Sequence, residues 1–175
     1  MTSETSGASG AAGAIGPSFR VQLSTVGDTR AWGVRLGALL KAGDLLVLSG
    51  GLGAGKTSLT QGIAQGLQVR GPITSPTFVI ARVHPSLAGG PDLVHVDAYR
   101  LDGLAELDDL DLDASLEDVV TVVEWGHGVA EQLSDDYLEV TLSGHDARTA
   151  ELVGHGRRWT DQGAGALLDD LVSLP

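Results

Sequence analysis

The sequence predicts an α/β fold: a mostly parallel central sheet flanked by helices, with an antiparallel hairpin near the C-terminus. Three observations predict it. Leu45-Leu46-Val47-Leu48 is a continuous apolar run, the pattern of a strand buried on both faces of a parallel sheet. That run leads into a glycine-rich stretch from Gly50 to Gly55, and a helical pattern follows. Two more apolar runs, Leu93 to Asp97 and Val119 to Glu124, each end in an acid.

Residues 1–17 are mostly Ser, Thr, Gly and Ala and lack the basic start and apolar centre of a signal peptide, so they read as a disordered tail. Residues 18–175 read as one domain without internal repeats. Phe19, Val21 and Leu23 alternate with polar neighbours, as in a short strand. Asp28 is the expected N-cap of a helix carrying Trp32, Leu36, Leu39 and Leu40, with Gly43 as its stop signal. Ser58 to Leu67 is the next helix, with Leu59, Ile63 and Leu67 on one side. Gly62 and Gly66 are costly inside it, and close approach to the sheet is one reason to accept that cost.

Further strands are expected at Thr77–Val83, Leu93–Ala98 and Val119–Glu124, with Gly89-Gly90-Pro91 as a turn between the first two. Leu101 to Asp118 is rich in acids. It reads as one or two short helices with solvated acidic faces, or as a docking surface for a basic partner. Tyr137–Ser143 and Thr149–Val153 form the expected hairpin around Gly144-His145-Asp146. Ala164 to Val172 closes the chain as an amphipathic helix.

Composition narrows the function. The chain is 42% hydrophobic, enough to bury a core, and carries a formal net charge of −12. Such a charge disfavours unaided binding to nucleic acid or to an anionic membrane surface, because both depend on clustered Lys and Arg. The absence of cysteine excludes disulfides, zinc–thiolate sites and thiol catalysis, and it fits a cytoplasmic protein. No apolar run reaches the roughly 18 residues needed to span a bilayer.

Gly50-Gly51-Leu52-Gly53-Ala54-Gly55-Lys56-Thr57 has the spacing of a P-loop, or Walker A motif. The glycines let the loop wrap so that backbone N–H groups point inward. Those amides and the start of the next helix favour a negatively charged ligand. Lys56 is placed to reach β- and γ-phosphate oxygens, and the Thr57 hydroxyl to coordinate magnesium. ATP and Mg2+ are therefore the expected ligands. Asp97 and Glu124 end their strands at the side where ligands bind in open α/β sheets, so both are candidates to hold the metal or orient water. Glu124 is the better Walker B candidate, because its strand is almost purely apolar. His95 either joins Asp97 or is a partly buried neutral histidine. Trp125 closes the pocket or packs beside it. Thr74-Ser75-Pro76-Thr77-Phe78 suits a segment sensing the γ-phosphate, and equally an ordinary loop. No arginine stands out as a finger; Arg82, Arg100 or a partner's arginine are the options.

Other functions are open on the same fold. A small-molecule kinase needs a substrate pocket and usually an arginine-rich lid, and the 11 Lys and Arg do not cluster. A GTP switch needs an Asn-Lys-x-Asp segment, which is absent. A direct tRNA binder runs against the charge.

The motifs taken together point further. Gly-Leu-Gly-Ala-Gly-Lys-Thr (51–57), Thr-Ser-Pro-Thr-Phe (74–78), His-Val-Asp-Ala-Tyr-Arg-Leu (95–101) and Glu-Trp (124–125) follow in order. The chain from about Leu23 to Val153 thereby resembles the bacterial tRNA threonylcarbamoyladenosine biosynthesis ATPase family, the TsaE type. The resemblance implies a small ATPase of the P-loop NTPase fold, weak when alone. It would work with two partner proteins of the sugar-kinase-like fold that install threonylcarbamoyl on adenosine 37 of certain tRNAs. It implies nucleotide contacts from Thr29, Gly51, Leu52, Gly53, Ala54, Gly55, Lys56, Thr57, Ser58 and Trp125. Thr57, Asp97 and Glu124 would serve the metal, and Lys56, Asp97 and Glu124 catalysis. Thr77 would belong to the switch-like segment, and Arg148 matches a frequent family arginine. Gly51 departs from the pattern, since the family usually has aspartate there. The stretch from Asp108 to Asp113 is also unusually rich in aspartate.

Overall fold

Leu45, Leu46, Val47 and Leu48 are completely buried, as a strand with neighbours on both sides and packed layers above and below requires. They belong to a computed structural model that describes residues 14–75, 81–99, 116–128 and 130–173. In chain order the elements are β1 (Ile15–Leu23), α1 (Val26–Leu39), β2 (Leu45–Gly50), α2 (Lys56–Leu67), β3 (Ala81–His84) and β4 (Leu93–Asp97). They continue as β5 (Val120–Glu124), a 3-10 turn (Ala130–Gln132), β6 (Tyr137–Ser143), β7 (Arg148–His155), α3 (Arg157–Thr160) and α4 (Gln162–Ser173).

The seven strands form one sheet in the order β1-β7-β6-β2-β5-β4-β3. Its centre, β6-β2-β5-β4, is parallel. Both edges are antiparallel: β6 and β7 make the expected hairpin, β1 pairs with β7, and β3 pairs with β4. The parallel reading thus holds for the centre, and the β3 and β1 pairings were not foreseen. β6 shows why an edge region differs from the centre: Leu138, Val140 and Leu142 are buried while the residues between them are more exposed. Alternation of this kind needs one covered face only.

Several local expectations change. β1 begins at Ile15, three residues before the expected domain start at Ser18; residues 1–13 of the expected tail lie outside the described residues. The N-cap of α1 is Thr25, not Asp28. Asp28 sits at the third helical position, where its backbone N donates to Thr25 Oγ1 at 3.0 Å and its carboxylate accepts from Thr25 N at 2.8 Å. This reciprocal capping box satisfies two otherwise orphaned donors. Of the expected strand Thr77–Val83, residues 77–80 lie outside the described residues, as does most of the acidic stretch 101–118.

The glycines of α2 also differ from expectation. Gly62 and Gly66 face α1, not the sheet. A Cβ on Gly62 would collide with Arg30 O, and one on Gly66 with Val34 O. Across the seam, a Cβ on Gly33 would lie 2.7 Å from Leu59 O, and one on Gly37 would collide with Ile63 O. Two small-residue pairs, one turn apart on each helix, therefore let the backbones nearly touch. Leu36, Leu59 and Ile63 flank this seam and join Leu46, Leu48, Val122, Val140 and Leu152 in the main core. The opposite face of the sheet carries a smaller core of Leu45, Val47, Val94, Val96, Val123 and Ala130. Arg158 of α3 pins the start of β2: its Nε and Nη2 donate to Asp44 Oδ1 and Oδ2 at 2.8 and 3.1 Å. No helix among the described residues is long and apolar enough to cross a membrane.

Candidate active site

The glycine-rich loop joins the end of β2 to the start of α2. Gly50, Gly53 and Gly55 adopt φ values of 144°, 79° and 106°, which a side chain would oppose. Gly55 is the N-cap of α2 and no side chain caps that end, so the amides of the first turn are left without a side-chain acceptor, an arrangement that favours an anion. The parallel register then sets the acids. Leu48 pairs with Glu124 on one side of β5, and Asp97 pairs with Glu124 on the other. Both carboxylates thus stand at the carboxyl ends of strands beside the loop, where open α/β sheets bind ligands.

A cavity of about 450 Å3 opens here, lined by loop residues 52, 53 and 55 to 58 together with Ser75, Asp97, Tyr99, Glu124, Trp125 and Arg148. Lys56 is 5% exposed. Its Nζ donates to Gly50 O at 2.8 Å and Gly51 O at 2.9 Å and lies 3.7 Å from the centre of the Trp125 ring. Burial pulls the Lys56 ammonium below its ordinary pKa, while the carboxylates of Glu124 and then Asp97 act in the opposite direction. Trp125 reaches this position from a left-handed backbone, φ 60°, uncommon for a bulky residue. Its amide donates to Leu48 O at 2.9 Å, and Tyr99 packs on the ring at 5.0 Å between centroids.

The two acids have different partners. Glu124 is 2% exposed. Its Oε2 accepts from Thr57 Oγ1 at 3.3 Å; its Oε1 lies 2.8 Å from His95 Nε2 and 3.2 Å from Thr60 Oγ1. Asp97 accepts from Ser75 Oγ at 3.1 Å and from the Tyr99 amide at 3.0 Å. His95 therefore joins Glu124 and not Asp97, and it is fully buried. The reason is geometric: His95 pairs with Val122, one pleat before Glu124, so the ring reaches diagonally across the ladder.

The donor set fits magnesium. Among the described residues no three or more His, Asp and Glu side chains form a cage of their own. Thr57 and Glu124 instead offer adjacent hard oxygens, with Asp97 in the same cavity wall. Magnesium takes one or two carboxylates and completes its shell with phosphate and water, which suits this arrangement.

Not every expected contact lies in the cavity wall. Thr29 is fully buried; its hydroxyl donates to Thr25 O at 3.2 Å, and its methyl lies beneath Gly55. Ala54 is buried toward the core, and neither it nor Gly51 lines the cavity. Thr77 and Arg100 lie outside the described residues, and Arg82 is exposed on β3 away from the lining. Thr60 went unnoticed in the sequence, although its position one helical turn after Lys56 places it on the loop side of α2. Arg148 lines the cavity beside Gly55, and its buried Nε has no partner among the described residues.

Comparison with known proteins finds relatives in both sequence and fold. The family model described as "Threonylcarbamoyl adenosine biosynthesis protein TsaE" matches residues 23–152. A tRNA threonylcarbamoyladenosine biosynthesis protein TsaE of Streptomyces coelicolor is 59% identical over 137 residues, which cover 74% of this chain and 93% of that protein. The protein of the same name from Bacillus subtilis is 37% identical over 135 residues, 75% of this chain and 83% of the relative. A crystal structure of Bacillus subtilis YdiB superposes with a TM-score of 0.68 at 30% identity, covering 89% of this chain and 94% of that one.

Proposed function

The chain belongs to the TsaE family of tRNA threonylcarbamoyladenosine biosynthesis proteins, and from that premise we propose that it is a magnesium-dependent ATPase serving this tRNA modification. The observation that carries the reading is the pairing of Thr57 Oγ1 with Glu124 Oε2 at 3.3 Å, directly beside the uncapped start of α2 and Lys56. A hydroxyl and a carboxylate at that spot are what a magnesium-bound triphosphate needs on its metal side.

The expected reaction is in-line attack of water on the γ-phosphate, giving ADP and phosphate. Magnesium, which Thr57 and Glu124 would hold, would supply neutralisation of the charge that develops on the phosphate. The residues of this chain do the rest. Loop amides and the start of α2 hold the phosphates. Lys56 leaves Gly50 O and Gly51 O to meet phosphate oxygens, and with Arg148 it supplies the cationic side chains of the lining. Glu124 and Thr57 orient the metal side. Asp97, tethered to Ser75, stands where it can order water. Catalysis of this kind is mostly positioning and charge stabilisation.

The chain acts, in this reading, in the cytoplasm with two partner proteins of the sugar-kinase-like fold rather than on tRNA alone. The net charge of −12 supports that division, since the basic surface for tRNA must come from elsewhere. The test is phosphate release from ATP by the purified chain with and without the two partners. Stimulation by the partners supports the proposal; hydrolysis that ignores them, or is absent throughout, counts against it.

A further inference from the structure

Glu124 is nearly inaccessible and must be held by its neighbours, because a buried carboxylate without donors is costly. Among the described residues three side chains reach it, and they differ. Thr60 has one hydroxyl hydrogen and two acceptors, Lys56 O at 3.0 Å and Glu124 Oε1 at 3.2 Å, so its hold on Glu124 is shared. Thr57 approaches Oε2 at 3.3 Å, the longest of the contacts. His95 Nε2 approaches Oε1 at 2.8 Å, the shortest. A carboxylate only accepts, so the imidazole is the donor and carries hydrogen on Nε2. Its Nδ1 is buried and has no partner among the described residues, which leaves the Glu124 bond as the ring's single polar attachment there.

We propose that His95 is a positioning residue for Glu124: it secures Oε1, so that Glu124 meets the metal through Oε2 alone, beside the Thr57 hydroxyl. The bland reading of a buried strand histidine is packing. Packing does not require a 2.8 Å bond to a buried carboxylate of the cavity wall. Donors behind a metal-binding carboxylate fix its orientation, and removing them typically weakens metal binding about 10- to 100-fold. The inference rests on the ATPase reading for the presence of a metal, but concerns only which oxygen is presented and what holds it.

The test compares the full wild-type chain with His95→Leu and His95→Gln. Binding of a non-hydrolysable ATP analogue is measured in EDTA, and Mn2+ affinity of the nucleotide-bound protein by electron paramagnetic resonance. Analogue binding in EDTA is expected to agree within about twofold among the three, while His95→Leu lowers Mn2+ affinity roughly 10- to 100-fold. His95→Gln, which keeps an N–H donor, recovers most of it. Wild-type Mn2+ affinity in His95→Leu, or no recovery in His95→Gln, overturns the proposal. Metal-dependent binding by the wild type with an indifferent His95→Leu sinks only the role of His95; no metal effect in the wild type sinks the ATPase reading as well. Nitrogen-15 spectra of the wild-type imidazoles give a check that needs no folded variant. Hydrogen on Nε2 of His95 is expected, and hydrogen on Nδ1 alone overturns the proposal.

Discussion

Asp97 and Glu124 face each other across the β4–β5 ladder, yet their carboxylates hold different partners. Glu124 reaches Thr57 of the loop, while Asp97 is tied to Ser75 and the Tyr99 amide. The pairing predicts a separation of binding from chemistry. Glu124→Gln keeps the shape and an acceptor for His95 but loses the charge. Nucleotide affinity should change little, and turnover should fall by about 10² to 10⁴. Titration calorimetry and phosphate release measure the two; full activity in the purified variant would falsify the role given to Glu124.

Lys56→Ala removes the cationic side chain that the loop itself supplies. The expected loss is about 3 kcal/mol of nucleotide binding, roughly a hundredfold, from bonds to charged oxygens. Competition against a fluorescent ATP analogue reads it. An unchanged affinity would place the phosphates elsewhere.

The two glycine-rich helices give a prediction that changes sign. Gly62→Ala drives a methyl into Arg30 O across the α1–α2 seam, and about 1–3 kcal/mol of stability should be lost. Gly165→Ala, in α4 with nothing within 4 Å of the new methyl, should instead gain about 0.5–1 kcal/mol from helix propensity. Urea unfolding of both variants against the wild type decides the matter.

Asp44 and Arg158 join through two hydrogen bonds, and Asp44 also accepts from the Lys41 amide at 2.9 Å. Truncating either side chain strands its partner. A double-mutant cycle of Asp44→Ala and Arg158→Ala should return a coupling of about 1–3 kcal/mol. Additive single effects would reduce the pair to a surface contact.

His84 supplies a pH dependence. Burial lowers its pKa from the ordinary 6.5, opposed by its bond to Arg70 O and reinforced by the nearby charges of His95 and Arg82. Between the lowered folded value and 6.5 the unfolded chain binds more protons than the native one. This contribution to stability is therefore complete above the unfolded pKa and is lost as pH falls through the folded value. His84→Asn should flatten that slope in unfolding midpoints taken from pH 7.5 downward. An equally steep slope in the variant would assign it to other groups.

Much of this was legible in the chain because it is local. Gly50–Thr57 sits between an apolar run and a helical pattern, and loop chemistry of that kind follows from adjacent residues. The strand-ending acids were legible for the same reason: a mostly apolar run closed by a carboxylate places that acid at a strand's carboxyl end. Thr25 and Asp28 show the limit even locally. Both are good capping residues, and only the reciprocal bonds at 2.8 and 3.0 Å tell which one is the cap.

The sequence by itself determined the parallel centre, the glycine-rich loop and the acids at its rim, since each is written in residues a few positions apart. The tertiary structure decided what those acids touch. Whether His95 serves Asp97 or Glu124 depends on strand register, and whether Gly62 approaches sheet or helix depends on how α1 lies on α2. The same holds for the antiparallel β1 and β3 at the two edges, whose partners lie far away or across a turn. An alternating strand specifies a buried face, but not the strand it will pair with, because backbone hydrogen bonds are the same whatever the partner's side chains.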